Sequence, residues 1–392
     1  MKKIRFGIIG IGNQGFSYAF NGFDKGYIQN GVLTAACDIN PDKIENLKKY
    51  IQNTEIVYFD NYIEMIESGL CDAVLVETPH YQHPEIVIEC LKRNIHVICD
   101  KPAGVYTEQV KEMNEVAKNS KATFSMMFNQ RTNCLYRKMR EIIKEGGIGE
   151  IQRVTWIITD WFRTQQYYDS GNWRATWSGE GGGVLINQCP HQIDLIQWVV
   201  GKMPKTVRGF CHYGKWHDIE VEDDVTAYFE YDNGATGVFI TTTGEAPGTN
   251  RFEVSGTKGK LLCENGKLFM QKTSEDTQEF SKNPANTFGA NATLRGQLVE
   301  VETDGQNPQH TGIINNFANY LLGLEDLFVD GVEGINGVEL MNAIEFSGFL
   351  GGEPVTLPID GKKYLEILNE KRANSRRKEA VQEKAQNTEG TY

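Results

Sequence analysis

Short apolar runs alternate with stretches of helical spacing through the first third of the chain. Val32 to Ala36, Ala73 to Val76, His96 to Cys99 and Thr123 to Phe128 are compact apolar segments of strand length. Between them, Pro84 to Arg93 and Thr107 to Lys118 carry apolar residues at three- and four-residue intervals, and Pro84 suits a first helical turn. Alternation of this kind predicts a parallel, doubly wound sheet with helices on both faces. The pattern then changes. Residues 151–160, 206–214, 225–231, 235–243 and 251–255 are rich in Val, Ile, Thr and aromatics, and Asn233-Gly234 and Asn265-Gly266 sit between such runs as hairpin turns. They predict a large, open, mostly antiparallel sheet. Helical patterns at 188–200, 311–323 and 337–350 would cover one face, leaving the other to a second subunit in a homodimer or homotetramer. From Lys371 onward the chain is polar and charged, which predicts a frayed tail or solvated helix.

The opening run gives the first domain a purpose. Ile4 to Gly15 reads Ile-Arg-Phe-Gly-Ile-Ile-Gly-Ile-Gly-Asn-Gln-Gly, an apolar strand broken by Gly10, Gly12 and Gly15. Gly10 permits a tight turn, Gly12 lets backbone approach a pyrophosphate, and Gly15 lets a helix lie close to the strand. The free N–H groups of that helix then face the phosphates. The second strand ends in Cys37-Asp38, and an acidic side chain there grips ribose hydroxyls and repels a 2′-phosphate. The expected cofactor is therefore NAD in preference to NADP. The predicted fold is α/β: a Rossmann domain over residues 1–125, an α+β domain for substrate binding and oligomerisation over 126–370, and a polar tail over 371–392.

Composition narrows the partners. The chain has 392 residues and a formal net charge of −12, which argues against nucleic acid or an anionic membrane as partner. Its eight cysteines are scattered without a C-x-x-C pair, several inside apolar runs, which favours a reduced, cytoplasmic setting. Met1-Lys2-Lys3 before an apolar run resembles a secretion signal, but the run is short and its glycines belong to the nucleotide turn. No stretch approaches the length of a membrane span.

Two constellations carry chemistry. Asp100-Lys101-Pro102 follows the strand His96 to Cys99, and ligands of open parallel sheets bind at the carboxyl ends of strands. Lys101 would thus point its ammonium at a substrate oxygen beside the nicotinamide, with Pro102 a candidate for a cis bond. The second runs from Gly181-Gly182-Gly183 through Asn187, Pro190 and His191 to Asp194. Asn187, His191 and Asp194 are spaced to share one stripe of an apolar helix, where polar groups are costly unless used. If the helix begins only near Cys189, Asn187 is instead an N-cap. His191 reads either as a satisfied core histidine or as a base of near-neutral pKa. Oxidation of a secondary alcohol needs such a base for the hydroxyl proton, an ammonium for the developing alkoxide, and a partner (Asp194 or Asn187) to fix the imidazole tautomer.

Aromatic residues cluster from Trp156 to Trp177, with Trp161, Phe162, Tyr167, Tyr168 and Trp173 between them; sugars stack on such rings, and Trp161 and Tyr167 are candidate substrate contacts. His212 and His217 with Glu220, Glu222, Asp223 and Asp224 read as a solvated acidic loop rather than a metal site, and no metal is expected.

The chain resembles the glucose–fructose oxidoreductase/inositol dehydrogenase/MocA family up to about residue 370. The marks are Gly10-Ile11-Gly12-Asn13-Gln14-Gly15, Thr78-Pro79 with His83, Asp100-Lys101-Pro102, Asn129-Gln130-Arg131, Trp173-Arg174, the glycine triplet with His191 and Asp194, and Pro354 to Pro358. The resemblance implies NAD(P)-dependent oxidoreduction of sugars, cyclitols or their glycosides. It makes Lys101 and His191 the catalytic pair, and Asn13, Gln14, Thr78, Pro79, His83, Trp173 and Arg174 cofactor-side residues. Asn129 and Arg131 would line the substrate cleft. Two positions depart from the family: Asp100 stands where Glu is usual, and Asn187 stands where many members carry Asp. The second departure fits a glycoside or sugar acid better than a simple cyclitol. The expected activity is oxidation of a secondary hydroxyl to a ketone with NAD. Its rivals are glycoside cleavage by transient oxidation and elimination, with Tyr167, Tyr168 or Asp169 as a second base, and a non-catalytic NAD-binding sugar sensor.

Overall fold

In the computed structural model, which describes residues 2–286, 294–376 and 378, the chain folds around two sheets. The first has six parallel strands: β1 (Ile4–Ile9), β2 (Gly31–Cys37), β3 (Val57–Phe59), β4 (Ala73–Val76), β5 (His96–Cys99) and β6 (Phe124–Met126). Their order, β3-β2-β1-β4-β5-β6, reverses direction between β1 and β4, and a crevice opens at such a switch point. β1 and β4 are almost wholly buried because helices cover both faces. The sheet closes at Met126, one residue past the expected boundary, so Phe124–Met126 is a strand of the first unit.

The second sheet has nine strands: β7 (Ile151–Ile158), β8 (Thr206–Tyr213), β9 (Glu222–Glu230), β10 (Thr236–Thr242), β11 (Asn250–Gly256), β12 (Gly259–Glu264), β13 (Lys267–Thr273), β14 (Arg295–Glu300) and β15 (Val355–Thr356). It is antiparallel except where β10 runs parallel to β7. Both expected hairpin turns are present, at 231–235 and at Asn265-Gly266. Alternation sorts its faces. Val154, Trp156, Phe239 and Phe252 are buried on one, with Trp156 stacked on Phe252 at 4.2 Å across a register pair. Thr155, Ile157, Tyr228, Val238 and Ile240 lie on the other, none fully buried.

The helices Pro190–Val200 and Gly334–Phe349 cover the buried face. The second lies directly on β8: a Cβ on Gly209 would stand 2.0 Å from the carbonyl oxygen of Ile344, so only glycine permits that approach. The C-terminal expectation needs amending. Lys371 and Arg372 belong to the helix Gly361–Ala373, and the Lys371 ammonium sits 4.5–5.0 Å from the rings of Trp177, Tyr213 and Phe349. Beyond it Ser375 and the Arg376 amide bind the Glu220 carboxylate, and Lys378 donates to Tyr168 O. The rest of the expected tail lies outside the described residues.

Candidate active site

The dinucleotide turn is built as its glycines require. Gly10 adopts φ +97°, and a Cβ there would meet Glu77 O at 2.6 Å. A Cβ on Gly15 would be 2.0 Å from Gly10 O, whereas one on Gly12 would meet nothing within 4 Å. The first and third glycines thus close the strand–helix junction, while the second borders open space of the kind a pyrophosphate fills. Asn13 and Gln14 open the helix Asn13–Ser17. Asp38, at the tip of β2, accepts from the amides of Ile11 (2.7 Å) and Asn40 (2.8 Å), which aims its carboxylate at the turn. Ile39 beside it is 86% exposed, an apolar surface that sequence reading passed over and that suits an adenine face. These residues fit a bound NAD: Gly12 and the helix start would hold the pyrophosphate, Asp38 the ribose.

The loops after β4 and β5 converge on the same crevice. Thr78 and Pro79 lie in the first, and His83 ties the two together, its ring nitrogens 2.6 Å from Thr78 O and 2.7 Å from Pro102 O. His83 is therefore a buried brace behind the cofactor wall rather than a contact on its open side. The Lys101–Pro102 bond is cis. The Lys101 ammonium donates to Asn187 O at 3.1 Å, across the boundary between the two sheets. This contact joins the two constellations singled out in the sequence.

The helix after the glycine triplet starts at Pro190, with Cys189 at its N-cap and no side chain capping it. The shared helical stripe and the N-cap reading of Asn187 therefore both fall away. It lies before the helix, so it neither shares the helical stripe nor caps it; proline at the first helical position moves the start downstream. Its side chain instead binds the buried Glu180 carboxylate and accepts from Tyr167 Oη at 3.3 Å. His191 is 6% exposed, and both ring nitrogens are buried without a partner. Burial pushes its pKa well below the ordinary range, and Lys101 and then His310 push it further down.

Asp194 does not orient His191. Its oxygens accept from Arg131 Nε (2.7 Å) and Nη2 (2.6 Å), and Arg131 Nη1 reaches Glu333 at 2.5 Å. Arg131 is 1% exposed and sandwiched by Phe128 and Trp198, so the expectation that it lines the substrate cleft is replaced by a buried ion pair beneath the site. A guanidinium this deep needs carboxylates, and Asp194 is taken up in supplying one. Asn129 is likewise fully buried, donating to Gln309 Oε1 at 2.5 Å.

Asn187 links Lys101 to an aromatic cluster around Tyr167. Tyr167 Oη accepts from Arg174 Nη1 (2.9 Å) and Gln188 Nε2 (3.2 Å). The guanidiniums of Arg174 and Arg163 stand 4.7 Å and 5.2 Å from its ring. Trp161 lies under Arg163 with its indole N–H buried and unpartnered. Trp173 meets His80 edge-on at 6.0 Å, which brings the Trp173-Arg174 loop to the cofactor side of the crevice. Tyr168 turns away to Thr243 at 2.7 Å. The acidic loop is occupied otherwise: Asp223 accepts from the amides of Lys215, Trp216 and His217, and Glu222 from those of Gly183 and Leu185. Among the described residues no group of three or more His, Cys, Asp or Glu side chains is arranged to hold a metal.

Two residues were missed. His310, near the start of the helix Gln309–Leu321, packs on Tyr18 at 5.6 Å and is pushed down to about 4 by burial, with Asp100 opposing and Lys101 assisting. Glu77, just past β4, carries a carboxyl group buried without a donor. Neither stands in a recognisable spacing; only the fold brings them to Lys101.

Comparison with known proteins agrees with this fold. Residues 4–128 match the model of an oxidoreductase family with an NAD-binding Rossmann fold, and residues 136–262 match the GFO/IDH/MocA C-terminal domain. Myo-inositol 2-dehydrogenase of Thermotoga maritima is 27% identical over 270 residues, covering 67% of this chain and 75% of that protein. The 2,7-anhydro-N-acetylneuraminate hydratase of Escherichia coli is 28% identical over 282 residues, 69% of each chain. The WlbA dehydrogenase of Bordetella pertussis, solved with NADH and UDP-GlcNAcA, superposes with a TM-score of 0.75 at 25% identity, covering 92% of this chain and 100% of that one. With both domains matched in order and the glycine turn, Asp100-Lys101-Pro102 and His191 meeting at one crevice, the chain belongs to the glucose–fructose oxidoreductase/inositol dehydrogenase/MocA family of NAD(P)-dependent oxidoreductases.

Proposed function

We propose that the enzyme oxidises a secondary hydroxyl of a sugar, cyclitol or glycoside to a ketone, using NAD in preference to NADP. The observation that carries this reading is an imidazole whose two buried ring nitrogens lack partners, within the electrostatic reach of a Lys101 ammonium held on Asn187 O. Unused buried polar atoms cost free energy, and a substrate hydroxyl would satisfy one of them. Bound NAD supplies the hydride acceptor. Lys101 orients the substrate oxygen and stabilises the charge that develops on it. His191, held neutral by burial and by the Lys101 charge, takes the hydroxyl proton. Trp161 and Tyr167, flanked by the Arg163 and Arg174 guanidiniums, are the contacts we assign to the sugar ring, and Asn187 holds Tyr167 and Lys101 in register. The half-exposed face of the second sheet would be covered by a second subunit, giving a homodimer or homotetramer. All eight cysteines are free thiols and no described helix is long and apolar enough to cross a membrane; we assign the protein to the cytoplasm.

The test is a panel of sugars, cyclitols, glycosides and sugar acids with NAD, followed by nicotinamide absorbance. Accumulating NADH with one class supports the dehydrogenase. A second reading, transient oxidation with elimination at a glycoside, draws on Tyr167, whose hydroxyl accepts from Arg174 and Gln188 and would be the further base. It expects product without net NADH. Tight NAD binding with no product from any substrate would instead mark a sensor.

Cofactor choice is separately testable. Asp38→Ser removes the carboxylate that would accept from the ribose. Loss of a charge-assisted hydrogen bond of about 1.5–3 kcal/mol weakens NAD binding roughly 10- to 100-fold. NADP affinity should rise in the same variant, measured by calorimetric titration. Unchanged preference would remove Asp38 from the cofactor site.

A further inference from the structure

β4 and β5 are parallel neighbours with Val76 opposite Cys99, and the Asp100 amide donates to Val76 O at 3.0 Å. Glu77 and Asp100 are therefore the next rung, side by side at the carboxyl ends of the two strands and within hydrogen-bonding reach of each other. Glu77 also forms a wall of the dinucleotide turn, since its carbonyl lies where a Cβ of Gly10 would stand. Both its carboxyl oxygens are buried, and no described donor reaches either. Asp100 accepts from the Lys101 amide at 2.8 Å. The groups facing the pair from the surrounding elements are Cys99 and Lys101 on its own strand and loop, His83 from the helix His83–Lys92, and His310 from the helix Gln309–Leu321. Two carboxyl groups this close in a buried site cannot both ionise cheaply. Burial, and then Asp100, push the Glu77 carboxyl well above the ordinary range.

We infer that Glu77 and Asp100 share one proton in the cofactor-free enzyme and release it to solvent when the positively charged nicotinamide of oxidised cofactor binds beside Lys101. The inference rests on the assignment of this crevice to NAD. One O–H bond breaks and no electron moves: the protonated enzyme and NAD⁺ give the complex and a free proton. NADH has a neutral ring and the same pyrophosphate charge, so its binding leaves the proton in place. Glu77 is accordingly a positioning residue. As the proton-carrying member, it lets a second carboxyl group sit beside Lys101 without a second charge until the ring cation arrives to balance one.

Two measurements test this without sugar turnover. Infrared difference spectra of the cofactor-free wild type against Glu77→Gln should contain the carbonyl stretch of a buried carboxylic acid, lost in the variant. Absence of that band overturns the shared proton. Calorimetric titrations across pH 6–9 should then show NAD⁺ affinity rising with pH, by up to about tenfold per unit where the pair is protonated free and ionised bound. NADH affinity should not follow that rise, and Glu77→Gln should abolish it for NAD⁺. Equal pH dependence for the two nucleotides, or an unchanged slope in the variant, overturns the release. Asp100→Asn serves as the second variant if Glu77→Gln does not fold. Failure of both nucleotides to bind would overturn the release and the cofactor assignment together, and the infrared band still decides the proton.

Discussion

Replacing His191 by alanine should lower kcat by about 10²- to 10⁴-fold, the usual worth of a positioned general base. NADH binding, followed by fluorescence titration, should stay within a few-fold of wild type, because the imidazole contacts no part of the glycine turn. The pH profile carries a second signature. Burial, Lys101 and His310 hold the imidazole below the ordinary histidine range, so the basic form persists as the medium becomes acidic. kcat/KM should fall only as pH drops through that depressed value. Lys101→Met removes the second cause of the depression, so its residual activity should show an acid limb displaced to higher pH. Stability follows the same sign. A histidine whose folded pKa is lowered contributes stability that is present above the unfolded value of about 6.5 and is lost as pH falls through the folded one. His191→Ala with full activity, or with an unchanged acid limb, would remove this residue from proton transfer.

Arg131→Ala should destabilise the fold by about 3–5 kcal/mol, because it leaves the Asp194 carboxylate buried without its partner. The pair is bidentate, with side chains 1% and 2% exposed, so water offers little compensation. Burial already pushes the Asp194 carboxyl upward against the pull of Arg131, and without the guanidinium only the neutral Gln197 amide, donating to Asp194 Oδ1 at 3.1 Å, still opposes that push. The sign is then determined: an acid whose folded pKa is raised favours the folded state when protonated. The deficit should be largest at neutral and alkaline pH and should shrink on acidification. Denaturant unfolding at pH 5 and pH 8 checks both parts. The double variant Arg131→Met/Asp194→Leu, which leaves no unpaired buried charge, should recover much of the loss. A loss under 1 kcal/mol in Arg131→Ala would mean the pair is not desolvated as described.

Arg131 also marks where reading a chain residue by residue stops working. Its position after β6 and Asn129 was legible, yet its role as a buried partner of Asp194 depends on the meeting of two segments 63 residues apart. The same holds for Asp194, expected to orient His191 because the two share a helix. Helical spacing reports which face a side chain occupies, and says nothing of what is packed against it. Asn187 shows a local failure: Pro190 moves the helix start past it, and its side chain turns to Tyr167 and Glu180. Glu77 and His310 had no motif to announce them.

The alternation of apolar runs, the glycine turn with Asp38, and the lysine at a strand's carboxyl end were determined by the sequence alone. Each of these follows from backbone rules within a few residues: tight turns need glycine, parallel strands buried on both faces read as apolar runs, and ligands gather at strand ends. Tertiary structure alone decided which polar side chains reach the crevice and which are spent beneath it. Burial raises the cost of every unpaired charge, so Arg131 takes Asp194 and Glu180 takes Asn187, while the imidazole of His191 is left unpartnered beside Lys101.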